Sequence, residues 1–156
     1  MIRAINSAGA GSSATLNSPM IVSVINNGDF SSIYNSWIRS PLDSLGLHYG
    51  EGICSGNAVY MGNSDPNNPS ILSQRLITQI GVTYTCSFWL TIHYTPSGTQ
   101  SSVFRCICDN ITLLTLNNAQ AASTYYSVTF TATSTSSLLT FSGTNLTAHN
   151  LSLIHI

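Results

Sequence analysis

Between Tyr84 and Tyr94 the chain alternates without a break. Tyr84, Cys86, Phe88, Leu90, Ile92 and Tyr94 fall on one side, and Thr85, Ser87, Trp89, Thr91 and His93 on the other. Successive side chains of an extended strand point to opposite faces, so this period of two dictates a strand with one apolar and one hydroxyl-rich side. Such a strand must cover its apolar side with a second layer. A chain of 156 residues, 43% of them hydrophobic, is long enough to supply one core of that kind.

The same pattern recurs. In Val103–Cys108, Phe104, Cys106 and Cys108 are aligned, and the stretch is expected to form a hairpin with the Tyr84–Tyr94 strand across Thr95-Pro96-Ser97-Gly98-Thr99. Tyr126, Val128, Phe130 and Ala132 make another inward row. Leu139 and Phe141 begin a further strand, ended by a turn at Ser142-Gly143-Thr144-Asn145, and Leu151 and Leu153 mark the last. Met20–Ile25 reads as the first strand, Asn26-Asn27-Gly28-Asp29 as a turn, residues 30–57 as irregular chain anchored by Tyr34 and Trp37, and residues 63–69 as a loop. No useful length follows a period of 3.6. The pattern predicts an all-β, antiparallel β-sandwich or jelly roll over residues 18–156. Residues 1–17, rich in Gly, Ala, Ser and Asn, read as a flexible arm.

Charge narrows the function classes. Only 6% of residues are charged: four arginines, no lysine and five acids, for a net charge of -1. Phosphate recognition needs clustered cations, so nucleic-acid binding is excluded, and so small a net charge gives little repulsion against self-association. No apolar run approaches a membrane span, and the first residues are too polar for a secretion signal. Cys54, Cys86, Cys106 and Cys108 match no zinc spacing. They read either as small buried thiols or, for Cys54, as half of a disulfide.

Catalytic patterns are missing. Glycoside hydrolysis needs two facing carboxylates, and the acids are Asp29, Asp43, Glu51, Asp65 and Asp109. Asp29, Asp65 and Asp109 sit where Asp caps turns; Asp43 and Glu51 flank His48 and Tyr49 in a polar cluster that reads as a solvated loop. His48, His93, His149 and His155 are dispersed, and there is neither a nucleophile elbow nor a phosphate-cradling glycine loop. The sequence predicts no enzyme. Three glycosylation sequons, at Asn110, Asn145 and Asn150, are what chance provides in a chain so rich in Asn, Ser and Thr.

An ordered set of motifs carries a resemblance. Asn27-Gly28-Asp29-Phe30 precedes Trp37, then come Ala58-Val59-Tyr60-Met61-Gly62-Asn63, Leu72-Ser73-Gln74, Gly81 to Leu90, Tyr126 to Thr133, and Leu139 to Gly143. Over residues 20–156 this resembles the bacterial exported β-sandwich domains related to carbohydrate-binding modules of families 4, 9 and 22. The resemblance implies a galactose-binding-like jelly roll. It also implies a structural calcium at the Gly-Asp-Phe turn, with Asp29 and the Asn26 and Asn27 carbonyls as ligands. The paired aspartates expected on the final strand are replaced by His149 and Asn150, and histidine is a poor calcium ligand.

Two functions compete. The first is a decoration (cement) protein on a phage capsid or similar lattice, oligomeric, attached through arm residues Ile2, Arg3 and Ile5 and a sandwich face, and located on the virion surface. The second, which the resemblance implies, is an extracellular glycan-binding module. Its candidate platform residues are Trp89, Trp37, Tyr49 and His93, because sugars dock on flat aromatic faces. Trp89 points outward, to be either such a platform or a residue covered by a further layer or subunit.

Overall fold

The alternating segments become the strands of two five-stranded antiparallel sheets in a computed structural model, which describes residues 25–41, 45–48, 57–61, 63, 65, 67–93, 102–118, 122–145 and 150–155. In chain order the strands are β1 (Ile38–Ser40), β2 (Leu45–His48), β3 (Ala58–Met61), β4 (Ser70–Ile77), β5 (Thr83–His93), β6 (Ser102–Cys108), β7 (Ile111–Asn117), β8 (Thr124–Thr131), β9 (Ser136–Asn145) and β10 (Asn150–His155). One sheet runs β1-β4-β9-β6-β7 and the other β2-β3-β10-β5-β8. The all-β antiparallel sandwich is as the period of two predicts. The arm residues Ile2, Arg3 and Ile5, and most of the expected strand at Met20–Ile25, lie outside the described residues.

The expected β5–β6 hairpin does not form. β5 pairs with β8 and β10, whereas β6 pairs with β7 and β9 in the opposite sheet. The reason lies in the two apolar rows. Phe88 of β5 and Phe104 of β6 meet from facing layers, with ring centroids 5.5 Å apart, which buries both more fully than side-by-side placement in one sheet. The hairpin partner of β6 is β7. Cys108 pairs with Ile111 across the two-residue turn Asp109-Asn110, whose φ angles of 47° and 67° suit Asp and Asn and match the strand twist. The Asp109 carboxylate accepts the Leu138 N–H at 2.7 Å and so ties this turn to β9.

Two further expectations change. Ser142-Gly143-Thr144-Asn145 is strand, not turn: Gly143 lies in register between Ser70 and Phe104. The irregular stretch 30–57 contains β1 and β2, too short for a readable period.

Phe141 is the hub of the core. Its ring lies 5.2 Å from Phe88, 6.0 Å from Phe104 and 6.2 Å from Trp37. Leu72, Leu76 and Leu139 pack around it from its own sheet, and Val59, Met61, Cys86 and Leu90 from the other. Truncation there leaves a cavity walled by rigid rings that cannot collapse. We predict that Phe141→Ala lowers stability by about 4 kcal/mol, read as a lower urea midpoint with an unchanged slope.

Candidate functional site

The outward row of β5 keeps a residue that the core rejects. Because Cys86, Phe88 and Leu90 are buried in the sandwich, Ser87, Trp89 and Thr91 must point away from it. Trp89 is half-buried and lies in register with Tyr125 of β8, which is 53% exposed. The two rings sit 5.4 Å apart at 59°, a tilted aromatic pair on an exterior surface. Below it the hydroxyls form cross-strand rungs: Ser87 with Ser127 at 3.2 Å, Thr85 opposite Thr129, and Thr83 with Thr131 at 3.0 Å. On the other side the register runs from Thr91 to Ser152 of β10 and on to Tyr60 of β3. Tyr60 alternates with buried Val59 and Met61 and therefore shares this outer face. Tyr60 and Tyr125 are three strand spacings apart, about 14 Å, long enough for more than one sugar ring. Among the described residues this face carries no Asp, Glu, Lys or Arg, while the register sets His155 of β10 opposite Trp89.

The sequence candidates divide. Trp89 stands on the outer face as expected. Trp37 does not belong with it: it is 7% exposed, lies in the core between Phe30 and Phe141, and donates its indole N–H to the Asn27 carbonyl at 3.0 Å. His93 ends β5 and pairs in register with Asn150, and nothing further is described of its side chain; Tyr49, like Asp43 and Glu51, lies outside the described residues. The sequence reading missed Tyr125 and Tyr60. Alternation carried the signal for both, since Tyr125 precedes inward Tyr126 and Tyr60 sits between two inward residues.

No cofactor is expected, and the turn at Asp29, the weak calcium candidate, holds its own loop together. Asn27, at φ 54°, accepts the Ser32 N–H through its side-chain oxygen and donates to the Ile33 and Asn35 carbonyls. The Asn26 carbonyl accepts from the buried Gln74 amide, and the Asn27 carbonyl from Trp37 and the Phe30 N–H. Asp29 accepts from the Ser31 N–H and hydroxyl. Both carbonyls thus take hydrogen bonds from the loop itself or from β4, and no group of three acidic, His or Cys side chains occurs among the described residues. Asp65 accepts the Asn67 N–H within its own turn, and Asp109 accepts the Leu138 N–H of β9, so each of the three described carboxylates accepts from a backbone N–H.

No protein-family model matches the chain, and no curated protein matches its sequence. Solved structures do match its fold. A family 61 carbohydrate-binding module, in complex with β-1,4-galactotriose, is similar with a TM-score of 0.64 at 12% identity over 85% of this chain and 93% of that one. The family 22 module and catalytic modules of a Clostridium thermocellum endo-1,4-β-D-xylanase, complexed with xylohexaose, match at 0.55 and 16% over 78% of this chain. The enzymatically active domain of tailspike protein 4 of bacteriophage CBA120 matches at 0.56 and 10% over 84%. The chain spans 25% of the xylanase structure and 20% of the tailspike. The antiparallel β-sandwich is thus a fold shared with carbohydrate-binding modules.

The remaining chemistry-bearing groups lie inside. Cys86, Cys106 and Cys108 are free thiols buried between the sheets, the small-apolar alternative for these three. Hydrogen-bond contact with Cys86, together with burial, holds Cys106 well above the ordinary thiol range, while burial and the neighbouring Asp109 push Cys108 up to about 11 against a weaker opposing bond from Ser137. A thiol protonated at neutral pH and shielded from solvent is no nucleophile. Raised values in the folded state mean that the unfolded chain loses these protons first. The contribution of Cys108 is therefore complete below about pH 9 and is lost as pH rises through about 11. We predict a denaturation midpoint that falls over that window, and a shallower fall in Cys108→Ala, both read by urea titration at fixed pH values.

Proposed function

We propose that this chain is a non-catalytic glycan-binding domain that holds a neutral polysaccharide, outside the cell, on the face carrying Trp89, Tyr125 and Tyr60. The observation that carries this reading is the tilted Trp89–Tyr125 pair displayed beside hydroxyl rungs on an uncharged sheet face. Sugar rings present apolar C–H faces and polar edges. A half-buried indole on the outer face beside an exposed phenol receives the former, and hydroxyls and amides receive the latter. A face without described charges favours a neutral glycan over a uronic acid or sulfated one. The fold shared with glycan-bound modules at low identity supports the reading, with the ligand left to the face itself.

Catalysis is not part of the proposal, because the three described aspartates are dispersed and committed to backbone caps. The capsid-decoration reading rests on Ile2, Arg3 and Ile5, which lie outside the described residues, and a fold shared with a tailspike domain names no partner for this chain.

Calorimetry with xylohexaose and β-1,4-galactotriose, after a glycan-array screen, tests the proposal. Trp89→Ala is expected to weaken the best ligand at least tenfold, about 1.4 kcal/mol, and Tyr125→Ala to weaken it several-fold, both with unchanged melting temperature. No heat and no array signal for any neutral glycan would overturn it.

A further inference from the structure

A two-sheet sandwich has four edge strands, each an open row of backbone donors and acceptors that invites another strand, and proteins blunt such edges by shortness, bulges, proline or charge. Three of the edges here follow the rule. β1 has three residues and β2 four. β7 carries a register shift where it passes Cys106 and Ile107 of β6, and such a bulge bends a strand away from flat pairing. β8 breaks the rule. It is eight residues long, Thr-Tyr-Tyr-Ser-Val-Thr-Phe-Thr, with no charge and no proline, and its register with β5 is uninterrupted from Thr131 to Thr124. Its composition is that of a strong strand former. On the core side Tyr126, Val128 and Phe130 are only half-buried, because no strand lies beyond them among the described residues. The chain has no lysine with which to guard the edge.

We propose that β8 is a homodimer interface, in which two copies pair antiparallel through this edge about a two-fold axis near the middle of the strand. Antiparallel self-pairing sets outward residues against outward residues and inward against inward, so the two sheets continue into one. A dyad at Ser127 places Tyr126 against Val128 and Tyr125 against Thr129, with no charge meeting its own copy. An eight-residue strand is about 27 Å long, and a sandwich side about 20 Å deep, so each copy covers about 500 Å². The total, about 1,000 Å², is at the lower limit for a specific interface. Independently of whether a glycan binds, the two-fold turns both outer faces the same way. If the glycan reading holds as well, the pair becomes bivalent towards one polysaccharide surface.

Sedimentation equilibrium of the full chain from about 1 to 200 μM reads this directly. The expected result is a monomer–dimer equilibrium, weakened at least tenfold by Thr129→Lys, whose side chain points to solvent and so leaves folding intact. Val128→Lys, which sets a charge in the half-buried inward row, should do the same if it folds by circular dichroism. Thr115→Lys, on the bulged β7 edge, should leave the equilibrium as it is. A monomer throughout the range, a dimer indifferent to Thr129→Lys, or a dimer lost only with Thr115→Lys would each overturn the proposal. None of these outcomes depends on glycan binding.

Discussion

The aromatic contact between the two sheets at Phe141 decides everything outside it. Phe88 from β5 and Phe104 from β6 close on this ring from opposite layers, and with Phe88 fixed inward, Trp89 has no choice but to face out. A one-residue slip of β5 against β8 would exchange the two rows, sending Phe88 to solvent and Trp89 into a core with no room for it. The cost of exposing that whole inward row makes the register unique. The outer surface is therefore specified from within: the residues that could meet a ligand are held by residues that never see one.

The loop before β1 shows the same economy of polar groups. Phe30 and Trp37 plug the core and the ring pair sits 5.7 Å apart, but the chain between them has to reverse repeatedly, with positive φ at Asn27, Phe30, Ile33 and Ser36. Such a segment leaves backbone groups without ladder partners. Asn27 satisfies three of them through its side chain, and Gln74, buried in β4, reaches Asn26 and Ser36. Side-chain amides thus do the organising of this loop.

What could be read from the sequence follows from the physics of each element. β5, β8 and the start of β9 alternate over many residues, and their inward rows are the less exposed ones, buried in β5 and β9 and half-buried in β8. The partner of β5 could not be read, because alternation assigns faces and is silent about which sheet a strand joins. A hairpin across Pro96 and Gly98 was the local expectation, while the actual neighbours, β8 and β10, lie far along the chain. β7 escaped because its bulge breaks the alternation at Leu113 and Leu114. Trp37 was misplaced for a related reason: outside a periodic segment nothing in the sequence distinguishes a displayed tryptophan from a buried one. Tyr125 was legible but was passed over, one residue ahead of the row that announced the strand.

Scarcity of charge links the outer face to the edge. On most domains Lys and Glu occupy the solvent side of strands, where they keep water close and hold other chains away. Here the rungs Thr83–Thr131 and Ser87–Ser127 bond to each other, which satisfies part of their demand for water and leaves a face less strongly hydrated than a charged one. Stripping water from such a face to seat a neutral ring costs less than stripping it from ion pairs. The same substitution of hydroxyls for charges leaves β8 with no repulsion against its own copy. The two proposed affinities, for an uncharged glycan and for a second copy, thus rest on one compositional choice, and adding lysines to this sheet to oppose self-pairing would also raise the desolvation cost of the face beside Trp89.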